Sequence, residues 1–164
     1  MSVTVRVATV ADAPLILTFI RELAEYERLL HEVEATEADI RRDLFGENPR
    51  SFCEIAEHDG QPVGFALWFY NYSTFRGRAG IYLEDLFVRP EARGEGAGKA
   101  LLARLARRCV DAELGRLEWA VLNWNTPSIE FYDSLGASAK TEWTVRRLDG
   151  EALARLAESE VATA

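Results

Sequence analysis

Apolar and polar positions vary along this chain in patterns that predict six short strands. Residues at the amino terminus alternate with the period of two that is typical of a half-buried strand, and later strands appear as short apolar runs bounded by turn residues. Asp59-Gly60 predicts a tight turn between the second and third strands, and residues 71–80 are predicted to form a loop. The predicted strands span residues 3–7, 52–57, 62–70, 81–88, 117–122 and 143–148.

Five helices are predicted between and after these strands, because apolar residues recur at helical spacing. Asp12 is a candidate cap for the first helix, with Pro14 in its first turn. The residues from Thr36 to Asp39 resemble a capping box, and Gly46 is expected to end that helix. Four of the predicted helices span residues 12–30, 36–46, 126–136 and 149–158. The other follows the fourth strand, with its predicted buried face formed by Leu101, Leu102, Leu105, Cys109 and Val110.

The order βααβββαβαβ, followed by a terminal helix, predicts an α/β (α+β) fold with a mixed sheet and helices on both faces. The early strands are joined by short turns, which favours antiparallel pairing, whereas the later ones are joined through helices. With 164 residues, 48% hydrophobic and 28% charged, the chain is expected to form a single domain over residues 1–164.

Composition excludes some classes of function. No apolar run approaches the roughly 20 residues of a membrane helix, and the amino terminus lacks a signal-peptide pattern, so a cytoplasmic protein is expected. The isolated Cys53 and Cys109 are expected to pack as small apolar residues, and no metal site is predicted. A net charge of −8 argues against nucleic acid as a partner. The same charge suits a cationic small-molecule substrate, although it equally suits simple solubility.

A glycine-rich loop after the central strand, Arg93-Gly94-Glu95-Gly96-Ala97-Gly98, is the strongest local signal. Glycines there let a ligand approach the backbone, and the free N–H groups at a helix start favour an anion. An ordinary strand-to-helix turn would show the same composition. The dinucleotide pattern G-x-G-x-x-G fits poorly because Gly94, Gly96 and Gly98 stand at relative positions 1, 3 and 5 rather than 1, 3 and 6. The phosphate loop G-x-x-x-x-G-K-[ST] fits poorly because Lys99 is followed by Ala100.

The loop does match R/Q-x-x-G-x-G/A through Arg93, Gly96 and Gly98, and in this segment the chain resembles the GNAT acyltransferases. A second stretch, from Asn125 to Tyr132 followed by Leu135-Gly136-Ala137, resembles a GNAT segment with the same asparagine-to-tyrosine spacing. A capped helix with a core tyrosine would explain that stretch alone. Two motifs in the correct order favour an acyl-CoA-dependent acyltransferase.

The resemblance extends to the branch that contains spermidine/spermine N-acetyltransferase and its thialysine-acetylating relatives. LAEYE in the first helix, YLEDLFV in the central strand and WNTPSIEFY before LGA each resemble a motif of that branch. Residues 138–143 and the 71–80 loop depart from it, and both lie around the expected substrate end.

The resemblance implies acetyl-CoA as cosubstrate, with its pyrophosphate on the backbone N–H groups of the glycine-rich loop. Glu95 places a negative charge inside that loop, which Arg89, Arg93 and Lys99 would offset. The residues expected to contact acetyl-CoA are Leu86, Phe87, Val88, Arg93, Gly94, Glu95, Gly96, Ala97, Gly98, Lys99, Asn125, Thr126, Pro127 and Ser128.

The resemblance also implies a direct transfer to a primary amine. Such an amine has a pKa near 10.4, so a base is needed to remove its proton at neutral pH. Glu84 is the expected base, and Asp85 is expected on the opposite sheet face as a structural residue or second amine contact. Tyr132 would protonate the leaving thiolate, and backbone N–H groups of residues 86–88 would stabilise the oxyanion. The expected amine-binding residues are Tyr26, Glu27, Glu84, Asp85, Glu118, Trp119 and Glu142.

The sequence therefore predicts an acetyl-CoA-dependent N-acetyltransferase acting on a di- or polyamine, thialysine or a lysine-like acceptor. Acetylation of a protein or peptide amine, and a non-catalytic module that binds acyl-CoA, are the alternatives. A homodimer is expected from the family resemblance, in which subunits exchange elements near the carboxyl terminus.

Overall fold

The computed structural model describes residues 2–162, which form two compact units that meet in sequence at Ala120 and Val121. The first unit contains β1 (Val3–Val7), α1 (Ala13–Tyr26), α2 (Glu37–Phe45), β2 (Phe52–His58), β3 (Gln61–Ser73), β4 (Arg78–Val88), α3 (Ala97–Asp111) and β5 (Leu117–Trp119). The second contains α4 (Thr126–Ser134) and α5 (Gly150–Ala157). Single turns of 3-10 helix occur at Val10–Asp12, Leu30–Glu32 and Pro90–Ala92.

The strands form one five-stranded sheet in the order β1-β2-β3-β4-β5. Strands β1 to β4 pair with one another in antiparallel order, and β5 runs parallel to β4. The predicted mixed sheet is thereby confirmed. A shift in register between Leu67 and Trp68 leaves Glu84 as an extra residue on β4, which is a β-bulge.

Helices cover both faces of the sheet, as predicted. On one face, Ile16 and Phe19 of α1 pack with Ile55 and Phe65 of the sheet, and the rings of Phe19 and Phe65 stack with centroids 5.5 Å apart. On the other face, α3 buries Leu101, Leu102, Leu105 and Cys109. Both cysteines are buried, as expected of small apolar residues.

Several helix boundaries follow from local chemistry. The capping box of α2 is confirmed, because the Thr36 hydroxyl accepts the Asp39 N–H at 3.2 Å and the Asp39 carboxylate accepts the Thr36 N–H at 2.9 Å. The first helix was predicted to continue to residue 30, but α1 ends at Tyr26 and Arg28 adopts a left-handed φ of 62°. The Asp12 carboxylate does not cap α1; it accepts the Thr9 N–H and pairs with Arg6.

Three strand predictions need correction. The 71–80 stretch was predicted to be a loop, but β3 continues to Ser73 and β4 starts at Arg78, so the connection is a four-residue turn. The strand predicted at 117–122 is only three residues long. Residues 143–148 form no strand, since no neighbouring strand pairs with them within the described part of the chain. On α3, Val110 is 66% exposed rather than buried.

Within residues 2–162, no helix combines the length and the apolar character needed to cross a membrane.

Candidate active site

The central strand β4 has one edge that is only partly paired. Its pairing with β5 involves Ile81–Leu83 alone, so the carboxyl half of β4 continues past β5. The Arg89 N–H donates to Val63 O on β3 at 2.9 Å. Because backbone groups alternate sides along a strand, the Phe87 N–H also points toward β3, whereas the N–H groups of Leu86 and Val88 point to the open edge. The structure thus offers two of the three predicted donors to a ligand at this edge.

The bulge at Glu84 lies at the point where β4 leaves β5. Asp85 pairs with Leu67, and Leu67 packs against the core that contains Phe19. Leu83 pairs with Trp68 on the other side of the register shift, so Leu83 and Asp85 face opposite sides of the sheet despite being two residues apart. Asp85 therefore faces α1.

Asp85 belongs to a cluster of three carboxylates with Glu84 and Glu27. Burial of its side chain, and then the negative charges of Glu84 and Glu27, raise the pKa of Asp85 to about 7. Burial also raises the pKa of Glu27 above its ordinary value. Glu84 is exposed to solvent. The fold thus brings together three of the predicted amine-binding residues, although Glu27 lies 57 positions before Glu84 in the sequence.

The glycine-rich loop has the backbone that the sequence predicts for an anion cradle. Gly94 and Gly96 have φ of 84° and 88°, in the left-handed region that glycine adopts without strain. Gly96 precedes the first residue of α3, so the free N–H groups of that helix start at Ala97. A Cβ atom added at either glycine would meet no heavy atom within 4 Å. The backbone is therefore unobstructed at both glycines, and the free N–H groups at the start of α3 could hold an anion there. The side chains of Glu95 in this loop and of Lys99 in the first turn of α3 are exposed.

Two arginines next to this loop reach α1. Arg89 forms a two-point ion pair with Glu22, with distances of 3.0 and 3.1 Å. The Arg93 guanidinium lies 4.7 Å from the centre of the Tyr26 ring and 5.8 Å from that of Phe87. A cleft of about 330 Å³ lies beside these contacts. It is lined by Glu22, Glu25, Tyr26, Phe87, Arg89, Pro90 and Glu91.

These arginine contacts were not predicted from the sequence. The pairs Arg89–Glu22 and Arg93–Tyr26 each join residues 67 positions apart, and no local spacing indicates such a pair. The sequence did contain one signal for these contacts, because Arg89 and Arg93 lie on the same short segment after the central strand.

The predicted amine-binding residues of β5 are engaged with other side chains or half-buried. The Glu118 carboxylate lies 2.7 Å from Arg116 Nε and accepts a hydrogen bond from Asn71 Nδ2 at 3.1 Å. Burial, together with the charges of Glu84 and Glu118, raises the pKa of Tyr82, so both carboxylates lie near that tyrosine. Trp119 is half-buried. Glu118 consequently already has a cationic partner.

The second unit contains the other predicted site residues. Asn125 is buried, and its side-chain oxygen accepts the Ser128 N–H at 3.4 Å, which makes Asn125 the cap of α4. Thr126 and Pro127 form the first turn with Ser128. Tyr132 is half-buried later on the same helix. Glu142 is exposed and lies outside any helix or strand.

Among residues 2–162, no three His, Cys, Asp or Glu side chains are placed so that they could hold a metal ion together.

Comparison with known proteins points to a family of enzymes. Residues 17–137 match the family model described as acetyltransferase (GNAT) family. The chain is 42% identical to thialysine N-epsilon-acetyltransferase of Bos taurus, over 94% of this chain and 97% of that protein. It is 31% identical to L-ornithine N5-acetyltransferase of Arabidopsis thaliana, over 91% of this chain and 85% of that protein.

A solved structure also resembles this one closely. An integron cassette protein from the mobile metagenome of V. cholerae superposes with a TM-score of 0.80 at 29% identity, covering 97% of this chain and 99% of that chain.

Proposed function

Because this chain belongs to the acetyltransferase (GNAT) family, we propose that it transfers the acetyl group of acetyl-CoA to a primary amine of a small cationic acceptor. Two relatives similar over most of their length are named for thialysine and for L-ornithine, which are amino acids with a side-chain amine. An acceptor of that kind is therefore favoured, with di- and polyamines next. The observation that carries the proposal is the carboxylate cluster of Glu27, Glu84 and Asp85 beside the open edge of β4.

The carboxylate cluster suits the ammonium group of the acceptor. An amine with a pKa near 10.4 must lose its proton before it can attack, at a cost of roughly 4.6 kcal/mol at neutral pH. A carboxylate with a pKa of about 7, such as Asp85, is ionised in part and can still accept a proton at that pH. Glu84 is the exposed member of the pair, and we propose that Glu84 and Asp85 together bind the amine and take up its proton. Tyr26 and Glu27 would line the entrance for the rest of the acceptor.

The open edge of β4 suits the acyl group. As the amine attacks, negative charge develops on the carbonyl oxygen of the thioester, and preorganised N–H donors lower the energy of that state. The N–H groups of Leu86 and Val88 are the proposed donors. Tyr132 is the proposed acid for the departing thiolate, because a phenol with a pKa near 10 can protonate an alkylthiolate. Asn125 would then support Tyr132 through the start of α4, together with Thr126, Pro127 and Ser128.

We propose that residues 93–99 bind the pyrophosphate of acetyl-CoA. Support comes from the positive φ of Gly94 and Gly96 and from the free N–H groups at the start of α3. The contribution of the loop is made by the backbone, since the Arg89 and Arg93 side chains contact α1. Lys99 remains the nearby cation that could offset Glu95.

We also propose a cytoplasmic homodimer. Residues 143–148 have the alternating pattern of a strand, yet Trp143 is 78% and Val145 80% exposed. Exposed apolar side chains at strand spacing favour pairing with another chain. Sedimentation analysis should give a dimer at micromolar concentration, and a Trp143→Ser/Val145→Ser variant should weaken the dimer. A wild-type monomer over the whole concentration range would contradict the dimer without touching the enzymatic proposal.

The enzymatic proposal is tested by release of free CoA thiol from acetyl-CoA in the presence of thialysine, L-ornithine, lysine, putrescine, spermidine, spermine and a peptide amine. We expect the highest turnover with an amino acid that has a side-chain amine. Tyr132→Phe should lower turnover about 100-fold while acetyl-CoA still binds.

The same assay separates the alternatives. Preference for the peptide amine would favour a protein or peptide acetyltransferase. Acetyl-CoA binding without turnover on any acceptor would favour a binding module, and no acetyl-CoA binding at all would overturn the assignment of the glycine-rich loop.

A further inference from the structure

Arg93 contacts three parts of the proposed site at once. Its guanidinium lies on the ring of Tyr26 at the end of α1 and beside the ring of Phe87 on β4. Its Nε atom donates a hydrogen bond to Val88 O at 2.9 Å. Its own backbone leads directly into Gly94 and the glycine-rich loop. One side chain therefore connects the proposed amine entrance, the open edge of β4 and the proposed pyrophosphate loop.

The neighbouring Arg89 also connects the end of β4 to α1, through an ion pair. It forms the ion pair with Glu22 and lies 4.9 Å from the centre of the Phe19 ring. Phe19, Glu22 and Tyr26 are three and four residues apart on α1 and therefore share one face of the helix. Arg89 fixes the middle of that face against the strand end, and Arg93 contacts its last residue, just before Glu27.

A ligand bound at the glycine-rich loop can reduce the mobility of the Arg93 side chain. Arg93 is an exposed residue and Tyr26 is half-buried, so one side of their stack is open to solvent. The following loop depends on two glycines in the left-handed region, Gly94 and Gly96, which have more backbone freedom than other residues. A ligand that fixes the loop backbone also fixes the start of the Arg93 side chain. The side chain is then already ordered when the second ligand binds, so the binding free energy of that ligand is not reduced by the cost of ordering it.

We propose that Arg93 is a positioning residue that couples the two binding steps of the proposed reaction: with the loop occupied by CoA, Arg93 holds Tyr26 and the adjacent Glu27 in place for the amine. This inference rests on the proposed function, because it presumes CoA at the glycine-rich loop and an amine near Glu27. The coupling is reciprocal, so the amine also strengthens the binding of CoA by the same factor. Ordering one long side chain corresponds to a coupling of about 3- to 10-fold.

The test is a calorimetric cycle with CoA, which cannot be turned over, and with thialysine and L-ornithine as separate amine probes. The dissociation constant of each amine is measured with and without saturating CoA. Wild-type protein should bind at least one amine about 3- to 10-fold more tightly when CoA is present. Arg93→Met and Tyr26→Leu should each bring this factor close to 1, and the double variant should show no further loss, because both substitutions remove the same contact.

Conservative variants and a matched control separate positioning from a structural role. Arg93→Lys retains a cation over the ring and Tyr26→Phe retains the ring, so both should recover most of the coupling. Arg104→Met changes an exposed arginine on α3 in the same way and should leave the coupling unchanged. A structural defect would instead alter the binding of CoA alone and the unfolding temperature in step with the coupling.

Two results would overturn the inference while the proposed function stands. One is wild-type protein that binds CoA and turns over acetyl-CoA but shows no coupling with either amine. The other is coupling that persists at full strength in Arg93→Met. Failure of wild-type protein to bind CoA would instead contradict the proposed function itself, and the inference with it.

Discussion

Each face of the sheet carries a carboxylate, fully buried at Glu54 and half-buried at Asp85, and the charges around the two carboxylates are opposite in sign. On the α3 face, Glu54 is 1% exposed and its carboxylate lies 2.6 Å from Arg108 Nε. The same guanidinium lies 5.5 Å from the centre of the Trp68 ring. On the α1 face, Asp85 has Glu84 and Glu27 as its charged neighbours, and its pKa is raised to about 7.

The contrast separates a structural charge from a functional one. A buried charge costs several kcal/mol unless an opposite charge and hydrogen bonds compensate it. Arg108 provides the opposite charge and one hydrogen bond, to Oε1 of Glu54, whereas the environment of Asp85 disfavours its ionised form. Among residues 2–162, no lysine, arginine or histidine forms an ion pair with Asp85. A carboxylate in that situation is suited to bind a cationic substrate, and the proposed acceptor is an ammonium ion.

The largest effect is expected on catalysis at Asp85. Asp85→Asn keeps the shape of the side chain but removes its charge and its ability to accept a proton. We expect kcat/KM for the preferred amine to fall by about 100- to 1000-fold at pH 7.5, measured by thiol release. Glu47→Gln, at an exposed carboxylate after α2, is the matched control and should retain wild-type activity. Near-normal turnover by Asp85→Asn would remove this face of the sheet from the chemistry.

On the opposite face, loss of the compensating cation should mainly affect stability. Arg108→Met leaves the Glu54 carboxylate buried without its partner, which we expect to lower the free energy of unfolding by about 2–4 kcal/mol in urea titrations. Arg104→Met removes an exposed arginine from the same helix and should change it by less than about 0.5 kcal/mol. Equal effects of the two substitutions on the free energy of unfolding would mean that the Glu54–Arg108 ion pair does not stabilise the fold.

The same Asp85→Asn variant should gain stability over wild type with rising pH. The folded pKa of about 7 lies above the unfolded value of 3.8, so folding disfavours the ionised carboxylate. The penalty is absent below pH 3.8, increases between pH 4 and 7 and is complete above pH 7. The asparagine variant should therefore be about 1–3 kcal/mol more stable than wild type at pH 8 and nearly equal to it at pH 4. Urea titrations at both pH values provide the test, and a gain that does not depend on pH would contradict ionisation of Asp85 as its cause.

The smallest effect is expected when both charges of the α3 face are removed together. Glu54→Met/Arg108→Met exchanges the ion pair for apolar side chains of similar length. Such exchanges are often neutral or stabilising, so the free energy of unfolding should lie within about 1 kcal/mol of wild type. A double variant as unstable as Arg108→Met alone would show that Glu54 is needed for more than pairing with Arg108.

Local patterns predicted much of the first 120 residues. The period of the apolar residues predicted the positions of β1, β2 and α3, and the Thr36 and Asp39 pair predicted the start of α2. Residues 143–148 show where this reasoning fails, because an alternating pattern describes a surface suited to pairing but does not supply a partner strand. Likewise, Val110 was assigned to the apolar face because it is apolar, but it follows the buried Cys109 and is turned about 100° further round the helix, so it is exposed.

The candidate site was predicted in its residue types and less in its contacts. The family motifs predicted Glu27, Glu84, Asp85 and the glycine-rich loop as parts of the site, and the fold places Glu27 close enough to Asp85 to raise its pKa. The bulge at Glu84 was missed because a bulge is defined by the register with β3, which one strand alone does not contain. The pairs Glu54–Arg108 and Tyr26–Arg93 were missed for the same reason, since each joins residues more than 50 positions apart.

The pH dependence of kcat/KM tests most directly whether Asp85, on the α1 face, takes up a proton from the amine acceptor. Wild-type protein, Asp85→Asn and Glu84→Gln would be compared between pH 5 and 9 with thialysine and acetyl-CoA. We expect wild-type kcat/KM to rise through a group with a pKa of about 7, and this limb to persist in Glu84→Gln but to be lost in Asp85→Asn. The same limb in Asp85→Asn as in wild type, at comparable activity, would contradict the role proposed for Asp85.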